Sequence, residues 1–184
     1  VSRGGLKLEK GLSQFGVNPT GFVCADIGAS TGGFTDVLLT NGASKVFAVD
    51  VGHGKLAWKL RSDERVVVME KMNARYLTDD QITVPIDLVV CDASFISLKT
   101  VLPAALSLVR DGGALIALIK PQFEAGRQDV GKGGVVRDPD VHVRVCQEIS
   151  DWLTGLEDWS VNGITESPIK GPEGNIEFLI SATK

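Results

Sequence analysis

No apolar run in the chain approaches the roughly 20 residues needed to cross a bilayer, and no basic, apolar, small-residue leader opens it. A membrane or secreted role therefore finds no support, and a cytoplasmic protein without a membrane partner is expected. Cysteine is scarce. The three thiols, Cys24, Cys91 and Cys146, are odd in number and lack C-x-x-C spacing, which argues against a disulfide framework and for buried free thiols. The only histidines, His53 and His142, lie far apart without ligand-spaced neighbours, so no metal is expected. Excess positive charge is missing too: the formal net charge of -4 is the wrong sign for binding nucleic acid by bulk electrostatics. No internal repeat or low-complexity run is present.

The 184 residues and 43% hydrophobic content suit one globular domain with a substantial core. Apolar segments near Phe22 to Asp26, Lys45 to Val51, Val66 to Glu70, Ile86 to Cys91 and Ala114 to Lys120 alternate with helix-compatible stretches. That alternation predicts a doubly wound parallel α/β sheet. Asp138-Pro139 signals a helix start, with Val141, Val145, Ile149, Trp152 and Leu153 at helical spacing. Trp159 to Thr165 and Ile176 to Ala182 read as two last strands forming an antiparallel hairpin. Leu6 to Phe15 reads as an amphipathic helix with Leu8, Leu12 and Phe15 on one side.

Asp26-Ile27-Gly28-Ala29-Ser30-Thr31-Gly32-Gly33-Phe34-Thr35-Asp36 has the form of a nucleotide-cofactor loop between a strand and a helix. The second glycine of the dinucleotide fingerprint is replaced by Ser30, and an acid opens the loop. A carboxylate there repels a pyrophosphate and suits a ligand carrying an ammonium and a sulfonium, so S-adenosylmethionine fits better than NAD. Asp50 follows Asp26 by 24 positions, near the spacing at which an acid accepts ribose hydroxyls. Val51 adjoins it, and Met72-Asn73-Ala74 follows the third strand, on the side expected for adenine. Ligands of open parallel sheets bind beyond the carboxyl ends of the strands, so Asp26, Asp50, Asp92 and Lys120 are expected to face one crevice. Burial would lower the Lys120 pKa and a carboxylate such as Asp92 would raise it; either a base or a simple salt bridge follows from that balance.

Ser2-Arg3-Gly4-Gly5-Leu6-Lys7-Leu8, the Asp26 to Asp36 loop, Asp50-Val51-Gly52, Cys91-Asp92-Ala93-Ser94-Phe95-Ile96-Ser97-Leu98, Ile119-Lys120-Pro121-Gln122-Phe123-Glu124 and Gly174-Asn175-Ile176-Glu177-Phe178 together resemble the TlyA family within the FtsJ-like RNA 2′-O-methyltransferases. The resemblance covers essentially the whole chain. It implies a Rossmann-like class I S-adenosylmethionine-dependent methyltransferase fold, with a seven-stranded, mostly parallel sheet and a C-terminal antiparallel hairpin. The implied activity is methylation of cytidine ribose in ribosomal RNA, with ribosomal RNA or ribosomal subunits as partners. The family's Lys-Asp-Lys-Glu tetrad maps onto Lys7, Asp92, Lys120 and Glu177. The implied cofactor residues are Asp26, Gly28, Ala29, Ser30, Thr31, Gly32, Gly33, Phe34, Asp50, Val51, Asn73 and Asp92. Residues 1–184 are expected to be a single FtsJ-like domain, entered through residues 1–18, without the small S4-like RNA-binding domain with which family members normally begin.

Arg127, Lys132 and Arg137, in the glycine-rich connection from Glu124 to Arg137, suggest an RNA-facing lip that orders on binding. The family also carries the label haemolysin, which keeps a membrane-active protein as the alternative, alongside a non-catalytic cofactor- or RNA-binding module. The oligomeric state is left open.

Overall fold

A computed structural model describes Val1–Lys184. Its centre is a seven-stranded sheet in the order β3-β2-β1-β4-β5-β7-β6. The strands are β1 (Val23–Ile27), β2 (Lys45–Val49), β3 (Val66–Met69), β4 (Ile86–Cys91), β5 (Val109–Ile119), β6 (Ser160–Glu166) and β7 (Phe178–Thr183). The first five pair in parallel, and β7 runs antiparallel to both β5 and β6. The expected α/β fold with a reversed terminal pair is what forms. The apolar residues of β1, β2 and β4 are almost wholly buried, as expected where helices cover both faces of a parallel sheet.

Helix α1 (Arg3–Phe15) starts three residues earlier than the apolar pattern indicates, because Ser2 Oγ caps it by accepting a hydrogen bond from Gly5 N at 3.0 Å. Its Leu8 and Leu12 pack with Phe34, Val37 and Leu38 of α2 (Gly33–Thr40) over one sheet face. Two short helices, α3 (Trp58–Arg61) and α4 (Leu98–Val101), precede α5 (Pro103–Ser107) and α6 (Pro121–Glu124). Helix α7 (Pro139–Thr154) begins where Asp138-Pro139 indicates, with the Asp138 carboxylate accepting from Asp140 N. Its Val141, Val145, Ile149 and Leu153 join α4 and α5 in the larger core on the other face. No helix is long and apolar enough to cross a membrane.

Three expectations need correction. β5 reaches back to Val109, beyond an irregular stretch of its pairing with β4. Cys146 is only half-buried, unlike Cys24 and Cys91; all three are free thiols. The connection after Glu124 is not a featureless loop. It holds a 3₁₀ turn at Arg127–Asp129 and a bridge between Gly131 and Val135. Val136 is buried, its amide donating to Asn175 Oδ1 at 3.0 Å, while Asn175 Nδ2 donates to the Gly134 carbonyl at 3.0 Å.

β1 pairs with β2 on one side and β4 on the other. The strand order reverses there, and the crevice beyond the carboxyl ends of an open α/β sheet opens at such a switch point.

Candidate active site

The loop leaving β1 is fastened to its neighbours before any ligand is considered. The Gly28 and Ala29 amides both donate to the Val49 carbonyl, at 2.9 and 3.0 Å. Gly28 has φ 80°, and a Cβ on it would press against the Asp92 carbonyl oxygen and the Ala93 backbone. Only glycine brings the end of β1 this close to the end of β4. Ser30 also takes a left-handed backbone, at φ 51°, a conformation that costs a non-glycine residue energy and is characteristic of sites where ligands are held.

A cavity of about 480 Å³ lies over this junction. Of the sequence-predicted residues, Gly28, Ser30, Asp50, Val51, Asn73 and Asp92 line it. The others sit elsewhere. Ala29 is buried, Thr31 uses its carbonyl to accept from Ala57 N, and Gly32 packs its backbone against Leu60. Gly33 opens α2, and Phe34 is a core residue packed with Val37 and Leu38. These five shape the loop from behind.

Asp26 does not face the crevice. It lies one residue short of the end of β1, is fully buried, and its Oδ2 accepts from the Thr35 hydroxyl at 2.7 Å. Its Oδ1 is buried with no hydrogen-bond partner. Burial pushes this carboxyl up to about 7 against the opposing pull of Thr35. Asp50, by contrast, is half-buried and accepts from Gly52 N at 3.1 Å, shaping the turn that bears Val51. That turn is held from behind by Glu70, which accepts from Gly54 N and pairs with Arg61.

The four tetrad residues come together as two ion pairs. Lys120 follows β5; its Nζ stands 2.5 Å from Asp92 Oδ1 and 3.1 Å from Ser94 Oγ. Lys7 reaches in from α1, so the first segment folds back over the sheet end, and its Nζ lies 2.9 Å from Glu177 Oε1. Glu177 is fully buried. Its other oxygen accepts from Gln122 Nε2 at 2.9 Å, and Gln122 is carried two residues after Lys120, so one short segment serves both pairs.

Sequence reasoning missed Ser94, Phe95 and Gln122. All three lie inside quoted motif blocks, yet nothing local reveals that Ser94 meets Lys120 or that Gln122 meets Glu177 across 26 and 55 residues of chain. Phe95 is 88% exposed at the cavity wall in a left-handed backbone, φ 63°. The Glu124 carboxylate clamps its loop, accepting from Ser97 Oγ and Leu98 N, both at 2.8 Å. No group of three or more His, Cys, Asp or Glu side chains is placed to hold a metal ion.

A model of the FtsJ-like methyltransferase family matches residues 1–184. The chain is 49% identical over 180 residues to the 16S/23S rRNA (cytidine-2′-O)-methyltransferase TlyA of Mycobacterium tuberculosis, covering 98% of this chain and 67% of that protein. It spans about two thirds of the length of the curated relatives it matches, 64% of one and 67% of another. A crystal structure of a candidate hemolysin from Lactococcus lactis superposes with TM-score 0.96 at 51% identity, over 100% of this chain and 88% of that one. An O-methyltransferase from Bacillus cereus in complex with SAH shares the fold at TM-score 0.66 and 18% identity, over 100% of this chain and 82% of that one.

Proposed function

Because the chain belongs to the FtsJ-like methyltransferase family, we propose that it methylates the ribose 2′-hydroxyl of a cytidine in ribosomal RNA, using S-adenosylmethionine. The observation that carries this reading is the Lys120–Asp92 pair, whose Asp92 lines a cavity of cofactor size, joined through Gln122 to the Lys7–Glu177 pair. The printed activity of the Mycobacterium tuberculosis relative supports it. In this reading residues 1–184 are one FtsJ-like domain, and an S4-like domain outside this chain adds RNA affinity.

The cavity's residues fit the cofactor. Asp50 suits a ribose diol, and Gly28, where a Cβ would strike the Asp92 backbone, presents bare main chain to the cavity. Ser30, Val51 and Asn73 complete the holding set. When bound, S-adenosylmethionine supplies an electrophilic methyl group on a sulfonium.

A ribose hydroxyl is a poor nucleophile, so its proton must leave as its oxygen attacks. Lys120 Nζ, oriented by Asp92 and Ser94, takes or relays that proton. Lys7 supplies positive charge for the developing alkoxide, and Glu177, gripped by Gln122, holds Lys7 in place. Phe95 offers an exposed ring at the cavity wall on which an unstacked base rests.

The test is transfer of labelled methyl groups to purified ribosomal subunits, followed by nucleoside mass spectrometry. Label on cytidine ribose is the expected result. Label on a base, or none from a chain that binds S-adenosylmethionine but not NAD by calorimetry, overturns the reading.

A further inference from the structure

We propose that a basic pocket between the first turn of α1 and the Lys170-Gly171-Pro172 turn holds a phosphodiester of the RNA strand next to the target ribose. The inference rests on the RNA reading above and adds to it a named subsite. The pocket has a volume of about 310 Å³, is lined by Arg3, Lys7 and Lys170 among others, and has no carboxylate in its wall. That is a marked local reversal in a chain of net charge -4.

The three cations divide into two kinds. Lys7 is buried and already committed to Glu177 at 2.9 Å. Arg3 and Lys170 are exposed and take part in no ion pair. Their positive charge is therefore available to an anion, and both stand on ordered backbone. Arg3 lies four residues before Lys7 on α1, hence on the same helix face one turn away, and Ser2 caps that turn.

Lys170 is held by a tight turn in which the Gly171 amide donates to the Asn175 carbonyl at 2.7 Å. A Cβ at Gly171 would overlap the Glu177 carboxylate, so the turn sits directly against the Lys7–Glu177 pair. A ribose presented to Lys7 thus carries its neighbouring phosphate to Arg3 and Lys170, one helical turn along. Phosphate contacts of this kind fix the register of a strand without reading its sequence.

The test compares the chain with an Arg3→Glu/Lys170→Glu double variant, whose exposed positions leave the fold intact, as retained cofactor binding by calorimetry will show. Two probes are used: inorganic phosphate, followed by NMR shifts of the Gly4, Lys170 and Gly171 amides, and a single-stranded cytidine-containing RNA oligomer. The expected result is saturable phosphate shifts lost in the variant, with the slope of log affinity against log salt for RNA falling by about 0.7–1. RNA binding with the same salt slope in both proteins overturns the pocket alone. Phosphate shifts without any RNA binding overturn its assignment to RNA together with the function reading.

Discussion

Replacing Lys7 with methionine takes away the only cation that neutralises Glu177. The carboxylate side chain is 0% exposed and that of Lys7 11%, so after the substitution Glu177 keeps just the Gln122 amide. Removing one partner of a buried pair costs about 3–5 kcal/mol, because the other charge is left uncompensated. Glu177→Gln is expected to cost less, since Lys7 stands at the edge of the protein and its flexible stem can turn the ammonium toward water. The double variant Lys7→Met/Glu177→Gln leaves no buried charge, and its loss should fall well below the sum of the two, with a coupling of about 2 kcal/mol or more. Urea unfolding of the four proteins measures this cycle. In a chain of this size a loss of about 3 kcal/mol also lowers the thermal midpoint by about 6–12 °C. Additive single costs, or a costlier Glu177→Gln, would refute the argument that this pair is a desolvated unit with one sealed and one accessible end. Methyl transfer should be lost in all three variants, including the double variant whose stability recovers.

Lys120→Ala should reduce methyl transfer by at least 10²–10⁴-fold, the usual scale for proton-transfer catalysis, while calorimetric binding of S-adenosylmethionine is retained; substantial turnover would remove Lys120 from the relay. The Asp26 carboxyl ionises near pH 4 in the unfolded chain and near 7 when folded. The unfolded state therefore sheds its proton first, and stability falls as pH rises across that window by about 1.4 kcal/mol per unit. Asp26→Asn should flatten the dependence measured by urea titration between pH 4 and 7, and an unchanged slope would contradict the burial argument. Phe95→Ala should weaken binding of a cytidine-containing RNA by about 1–3 kcal/mol, the scale of one base stacked on an aromatic ring, and leave cofactor affinity alone; equal RNA binding would remove the ring from the substrate path.

Much of the architecture was legible along the chain. The five parallel strands and the α7 start at Asp138-Pro139 are local signals, because apolar runs and capping residues report only on their own neighbourhood. Asp92 as the partner of Lys120 followed from one topological rule, that the ends of parallel strands share a crevice. The same rule failed for Asp26. Whether a residue near a strand end points to the crevice or inward depends on the helix packed over it, and here the Thr35 hydroxyl on α2 captures the carboxylate. Phe34 turns its ring away from the cavity for the same reason, since the packing face of α2 belongs to the core.

The lip after Glu124 reads as loose because its glycines and charges form no periodic pattern. Its order comes from Asn175, some forty residues away. The amino-acid order alone therefore specifies the strands, the glycine turn where Gly28 must approach β4, and the residue types available for chemistry, because these rest on backbone conformation and hydrophobic burial. Tertiary packing alone brings Lys7 to Glu177 across 170 positions and makes Gln122 their brace. It also seals Asp26 from water and leaves Arg3 and Lys170 without partners. Charge pairing and desolvation depend on distances in space, and separation along the chain does not encode them.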